Sequence, residues 1–157
     1  MQLSHYSKTL IEKLDISRIY EDEIPYIYRK PNGLWLSVDG EDDWKEWCLR
    51  ENFCLEKLSY KYEVILKKDA NVITLSNEKE ISEFSQKYLH AGESIFDGNG
   101  IDWALVKKDY QGIIITAYEF EFWSEHPWLY GWDCESGCIW DLSCIKEFNL
   151  VEHKDYK

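Results

Sequence analysis

Positive charge is in short supply. The chain has 18 Lys and Arg against 30 Asp and Glu, for a formal net charge of −12. Nonspecific nucleic-acid binding requires cations that neutralise phosphates, so this balance argues against it. An anionic lipid surface would repel the chain for the same reason, and no membrane association is expected. Long apolar runs are also missing, and no stretch approaches the roughly 20 residues of a membrane-spanning helix. The opening residues, MQLSHYSKT, contain no apolar signal-peptide core. The expectation is a cytoplasmic protein with reduced thiols. General catalytic signatures are absent as well: no Walker-type phosphate loop, no GxGxxG after a strand, no HExxH and no GxSxG. Asp97-Gly98-Asn99-Gly100 begins like a calcium loop but lacks the acidic ligands that follow in an EF-hand, so it reads as a turn.

Aromatic side chains are abundant. The 157 residues include eight Trp and eleven Tyr, too many for a disordered chain, and the length suits one domain over residues 1–157 with a substantial core. Indoles and phenols fill cores, and they also line pockets for flat, polar ligands. The five cysteines are Cys48, Cys54, Cys134, Cys138 and Cys144. Their spacings lack the two-residue step of zinc knuckles, so they read as free thiols, with no metal assigned.

The most informative stretch runs from Lys30 to Trp47. Pro31-Asn32-Gly33 is turn chemistry. Leu34 to Val38 is a strand, and Asp42 or Asp43 caps a helix with Trp44, Trp47 and Cys48 on one face. Before it, Leu3 to Ser7 is a strand, Thr9 to Ile16 suits a helical turn or two, and Asp22 to Pro31 is a surface loop. After it, Tyr60 to Lys67 alternates as a half-buried strand and pairs as a hairpin with Val72 to Leu75. Ser76 or Asn77 caps a helix that buries Ile81, Phe84, Tyr88 and Leu89. Ile101, Ala104 and Leu105 mark a short helix, flanked by Trp103 and Val106. Ile113-Ile114-Ile115 does not alternate and reads as a central strand buried on both faces. Tyr118, Phe120 and Phe122 extend the sheet, with Glu119 and Glu121 on a wet face. Ser124 to Trp132 is a loop whose Trp128, Tyr130 and Trp132 could form an exposed recognition surface or a lid. Cys138 to Leu142 and Phe148 to Val151 close the inventory. Many short strands with a few short helices, in no regular βαβ order, predict an α+β fold with a largely antiparallel, split sheet.

Five pieces in this order resemble the ADP-ribosyltransferase superfamily, in its diphtheria-toxin and poly-ADP-ribose-polymerase-like half. They are His5-Tyr6-Ser7, Gly33-Leu34-Trp35-Leu36-Ser37, the helix with Trp44 and Trp47, Tyr110-Gln111-Gly112-Ile113, and Trp132 to Asp141. The fourth looks like the family's YDGI strand. Cys138 to Ile145 looks like its VVFDPSQI end. The resemblance implies NAD as substrate and transfer of ADP-ribose to an intracellular acceptor, with a toxin-like or modifying role. It places His5, with Tyr6 and Ser7, on a ribose. It places Gly33, Leu34, Trp35 and Ser37 along nicotinamide, Trp44 or Trp47 in the stacking position where the family has Tyr, and Glu135 as the carboxylate. The aligned catalytic position falls near Ser136, with Glu135 just before it and Asp133 two residues further back. Side chains flip at each strand residue, so that register decides which group faces the cleft. Arg29 and Lys30 are the basic groups available to offset the acidity beside an anionic ligand. The alternative is a non-catalytic acidic adaptor or inhibitor that docks on a basic protein partner through its aromatic surface.

Overall fold

The structure, a computed structural model, describes residues 1–21, 30–89, 100–116 and 122–156. Among the described residues there are seven strands: β1 (Leu3–Ser7), β2 (Leu34–Val38), β3 (Tyr60–Leu66), β4 (Val72–Leu75), β5 (Gly112–Ile115), β6 (Ser136–Ile139) and β7 (Ile145–His153). The helices are α1 (Trp44–Glu51), α2 (Glu78–Tyr88), α3 (Trp103–Asp109) and a single turn, α4 (Phe122–Glu125). The strands form one unclosed sheet in the order β4-β5-β6-β2-β1-β3-β7. All neighbours are antiparallel except β4 with β5. This is the α+β, largely antiparallel architecture expected. Hydrogen bonding does not break the sheet in two. Instead β1 and β2 pair only at Leu3↔Val38 and Ser4↔Ser37, and diverge from His5 onward.

Strand parity builds two cores. Ile113, Ile115 and Cys138 face one side with Leu75, against the apolar faces of α2 and α3 and the indoles of Trp128, Trp132 and Trp140. Ile114 and Ile139 face the other side, with Leu3, Leu34, Leu36, Val38 and Val64. The Ile run is therefore buried on both faces, and all four β5 residues are inaccessible. Glycine lets these strands approach closely. A Cβ on Gly137 would lie 2.9 Å from both the Ile113 carbonyl oxygen and Ile114 Cγ1.

Helix starts follow side-chain chemistry. Asp43 Oδ1 accepts from the Glu46 amide at 3.0 Å and opens α1, and Asn77 does the same for α2 through Glu80. The buried face of α2 is Ile81, Phe84 and Tyr88, as its spacing predicts.

Several expectations are corrected. Residues 9–16 form no helix. Asp15 Oδ1 instead accepts from the Ser17 amide and hydroxyl, a local turn that competes with helix. β3 and β4 are not a hairpin. β4 crosses to the far edge of the sheet, where it meets the all-apolar β5 in parallel register. Leu89 is exposed, because α2 ends at Tyr88 and Leu89 bridges Ile101 as extended chain. In α3 the buried face is Trp103 and Val106, not Ala104 and Leu105, since the larger indole takes the core. β6 begins at Ser136 rather than Cys138. Residues 124–132 are the end of α4 and a 3-10 turn, and Trp128 and Trp132 are 2% and 1% exposed. Those two indoles are core, which leaves Tyr130 alone of the three on the surface. Phe122 lies in helix. Residues 118–121, Arg29, most of the loop 22–31 and the turn at 97–99 lie outside the described residues.

Candidate functional site

The divergence of β1 from β2 leaves a wedge in the sheet, and His5 spans it. With its partner strand gone, the Trp35 carbonyl accepts from His5 Nδ1 at 2.8 Å. A carbonyl can only accept, so Nδ1 carries the proton and Nε2 keeps its lone pair. The ring packs tilted against the stacked pair Tyr62 and Phe148, at centroid distances of 6.3 and 5.9 Å. Burial pushes the His5 pKa down, against the raising effect of the Trp35 carbonyl. The imidazole is therefore neutral at pH 7, with an acceptor nitrogen.

Beside it opens a cavity of about 290 Å³. Its strand walls are Ser4, His5 and Tyr6 of β1, Trp35, Leu36 and Ser37 of β2, and Ser136 of β6. Trp44, Lys30 and Lys57 contribute from flanking segments, and Gly131, Trp132, Asp133 and Cys134 from the chain entering β6. Trp132 meets Trp35 edge-on at 4.8 Å. Lys30 Nζ lies 5.3 Å from the Trp35 ring centroid, and its stem packs over Gly131. Opposite, Trp44 stacks on Trp47 at 5.2 Å and 11°, and Phe53 closes the trio edge-on. Trp47 thus backs the cavity wall and Trp44 forms it.

Loop anchors hold Trp44 in place. Ser37 Oγ accepts from the Trp44 amide at 3.1 Å, and Asp43 Oδ2 accepts from the Gly40 amide at 3.3 Å. Ser37 therefore orients the wall. Ser4 Oγ donates to Asp39 Oδ2 at 2.8 Å, and Lys61 Nζ reaches the same oxygen at 3.0 Å. The Tyr6 hydroxyl is buried and has no hydrogen-bond partner among the described residues. Burial first, then Asp39 and Asp43, raise its pKa, so it stays a phenol with a proton to donate.

The site residues implied by the sequence divide clearly. His5, Tyr6, Trp35, Ser37 and Trp44 meet in the cavity. Ser7 turns away and donates to the Thr9 carbonyl. Gly33 serves packing: a Cβ there would sit 2.6 Å from Cys138 Sγ and 2.7 Å from the Ile139 carbonyl oxygen. Leu34 is in the core on the opposite face. Glu135 does not line the cavity. Its carbonyl accepts from the Val38 amide, and burial, then Asp42, raise its side-chain pKa. The carboxylate that does line the cavity is Asp133. Its pKa is raised by burial and partly restored by Lys30. Cys134 is buried with its pKa pushed up to about 12, so it is a thiol rather than a nucleophilic thiolate.

Sequence reasoning missed Lys57 and misplaced Trp132. A lone Lys on a 3-10 turn has no periodic signature. Trp132 carried a usable signal, since it opens the Trp132 to Asp141 segment of the resemblance.

The fold and cavity define an α+β domain with an aromatic-walled pocket that carries one carboxylate, one neutral imidazole and two lysines. No protein-family model, no curated protein and no solved structure matches the chain. Among the described residues, no helix is long and apolar enough to cross a membrane.

Proposed function

We infer that the cavity binds the nicotinamide-ribose half of NAD, and that the chain is an ADP-ribosyltransferase-like enzyme. The observation that supports this best is the His5–Trp35 hydrogen bond. It fixes an imidazole with a free acceptor nitrogen at the edge of a pocket walled by Trp35, Trp44 and Trp132. A flat pyridinium amide stacks on such walls, through dispersion and cation–π attraction. A ribose hydroxyl can donate to His5 Nε2 and accept from the unpartnered Tyr6 hydroxyl. The volume of about 290 Å³ lies at the low end for ligand pockets, roughly 300–1,000 Å³. It suits one ring and its sugar rather than a whole dinucleotide. The diphosphate would lie toward exposed Lys30 and Lys57, local cations in an acidic protein.

In the transfer, the bond from ribose C1′ to the nicotinamide nitrogen breaks, and nicotinamide leaves with the electron pair. The acceptor nucleophile bonds C1′ and gives up a proton. We assign the carboxylate role to Asp133 rather than Glu135. As an anion in a partly desolvated pocket it stabilises the cation that develops on the ribose. Its raised pKa also suits it to receive the acceptor's proton. The test is nicotinamide release from NAD by purified protein, alone and with cell extract as the acceptor source. Wild type releases nicotinamide, and Asp133→Asn loses about 10²–10³-fold in rate. No release by wild type, together with no NAD-dependent rise in melting temperature, excludes the reading.

A further inference from the structure

Glu78, Glu125 and His126 form a second cluster, and none of the three lines the cavity. Each offers one ligand atom, and these atoms lie within 4.8 Å of one another. Glu78 opens α2. Glu125 ends α4, and His126 follows it. The carboxylates are exposed, but His126 is only 7% exposed. His126 Nε2 is buried and has no hydrogen-bond partner among the described residues. A buried polar atom in that state is costly and calls for a ligand.

The neighbouring hydrogen bonds fix which nitrogen is available. Ser85 has one hydroxyl proton, and it donates that to the Ile81 carbonyl at 2.7 Å. Its oxygen accepts from Trp128 Nε1–H at 2.8 Å. The same oxygen lies 3.3 Å from His126 Nδ1. With its proton committed to Ile81, Ser85 can only accept from Nδ1–H. Nδ1 therefore carries the imidazole proton, and Nε2 is left with an open lone pair. That is the tautomer a metal ion needs, and an outer hydrogen bond to the other nitrogen is the usual way proteins hold it.

We propose that His126 Nε2 and one carboxylate oxygen each from Glu78 and Glu125 bind a divalent transition-metal ion of the zinc type. Imidazole with carboxylates suits zinc, and three protein ligands leave a fourth position open. Bonds of about 2.0–2.2 Å place ligand atoms roughly 3.3–3.6 Å apart. Small rotations of the two exposed glutamates reach that spacing. Two carboxylates and a neutral imidazole also balance a doubly charged ion. The Oε2 of Glu80, two residues along, accepts from the Ser76 amide. The ion ties α4 to α2. Through Trp128, which meets Trp132 edge-on at 6.1 Å, it braces an indole of the cavity wall.

The test is calorimetric titration of chelator-stripped, reduced protein with zinc chloride and, separately, magnesium chloride. Wild type binds one zinc and raises its melting temperature with zinc, while magnesium binds far more weakly. Glu125→Gln keeps the metal-free melting temperature, since its side chain is exposed, and Glu78→Gln and Glu125→Gln each weaken zinc at least about ten-fold. Ser85→Ala weakens it about 10–100-fold by releasing the ring. Cobalt in place of zinc shows no thiolate charge-transfer band. Absent zinc binding, binding untouched by both glutamine variants, equal magnesium affinity, or a thiolate band from the cysteines would each overturn the proposal.

Discussion

The Trp35 carbonyl is held by the His5 ring, Nδ1 to O, at 2.8 Å across the point where β1 and β2 part. A side chain here replaces a strand–strand hydrogen bond. It also fixes a tautomer that leaves Nε2 as an acceptor. His5→Asn can keep the donor to Trp35 but removes Nε2. We expect it to retain most of the fold's stability, while His5→Ala loses about 1–3 kcal/mol from an unpaired carbonyl. Urea denaturation of the three proteins measures this, and equal stability of His5→Ala and wild type would contradict it.

The same contact sets a pH dependence. Burial lowers the His5 pKa below its ordinary 6.5 in the folded state. Between 6.5 and the lowered value the unfolded chain binds more protons than the folded one. Stability therefore falls as pH drops through that window, and is unaffected by this group above it. Asp133 acts with the opposite sign at lower pH. Its raised folded pKa makes the folded state the better proton binder, so stability is regained as pH falls toward 3.8. The difference in unfolding free energy between wild type and His5→Asn should slope with pH only below 6.5. A flat difference would show that His5 is not held neutral.

Asp133 and Glu135 are separable in function. Glu135→Gln should leave nicotinamide release within about three-fold of wild type, because its side chain lies off the cavity. This is within the context scatter of a non-contacting surface change. Rate assays on the two variants, each checked by circular dichroism, decide the assignment. Loss in Glu135→Gln with survival in Asp133→Asn reverses it.

The thiols give an independent check on burial. Cys48, Cys134, Cys138 and Cys144 are buried, while Cys54 is half-buried. Burial pushes the Cys48 and Cys134 pKa values up to about 12, and that of Cys144 up to about 11. Since the thiolate is the reactive form, a thiol reagent at pH 8 should label Cys54 rapidly in the native protein and all five cysteines after denaturation. Fast labelling of a second native thiol would contradict the packing.

Gly137 reports on the sheet register. A methyl group there meets Ile113 and Ile114 of the neighbouring strand at 2.9 Å. Gly137→Ala should destabilise by about 1–3 kcal/mol through overpacking. A neutral result in urea denaturation would place β6 in another register.

Local chemistry made most elements readable. Leu3–Ser7 and Leu34–Val38 carry strand residues between clear turn signals, and Asp43 and Asn77 announce their helices by capping. Pairing was less legible. Lys68 to Asn71 looks like a hairpin turn, and the Ala70 amide does donate to the Lys67 carbonyl. Yet β4 finds its partner in β5, because a fully apolar strand needs cover on both edges and both faces. In the site, His5, Trp35 and Trp44 were visible as residue types in order. Asp133 against Glu135 was not, since two residues of the same parity look alike to strand alternation and both precede β6. The burial of Trp128 and Trp132 was hidden for a related reason: aromatic residues in a loop look alike whether they face water or core.

The central claim is an NAD pocket that depends on His5 Nε2. Calorimetric titration of wild type and His5→Ala with NAD tests it most directly. The account predicts saturable one-to-one binding, weakened at least about ten-fold in His5→Ala, a loss of about 1.4 kcal/mol, with the far-ultraviolet circular dichroism unchanged. No saturable binding to wild type, or equal affinity in the two proteins, would contradict it.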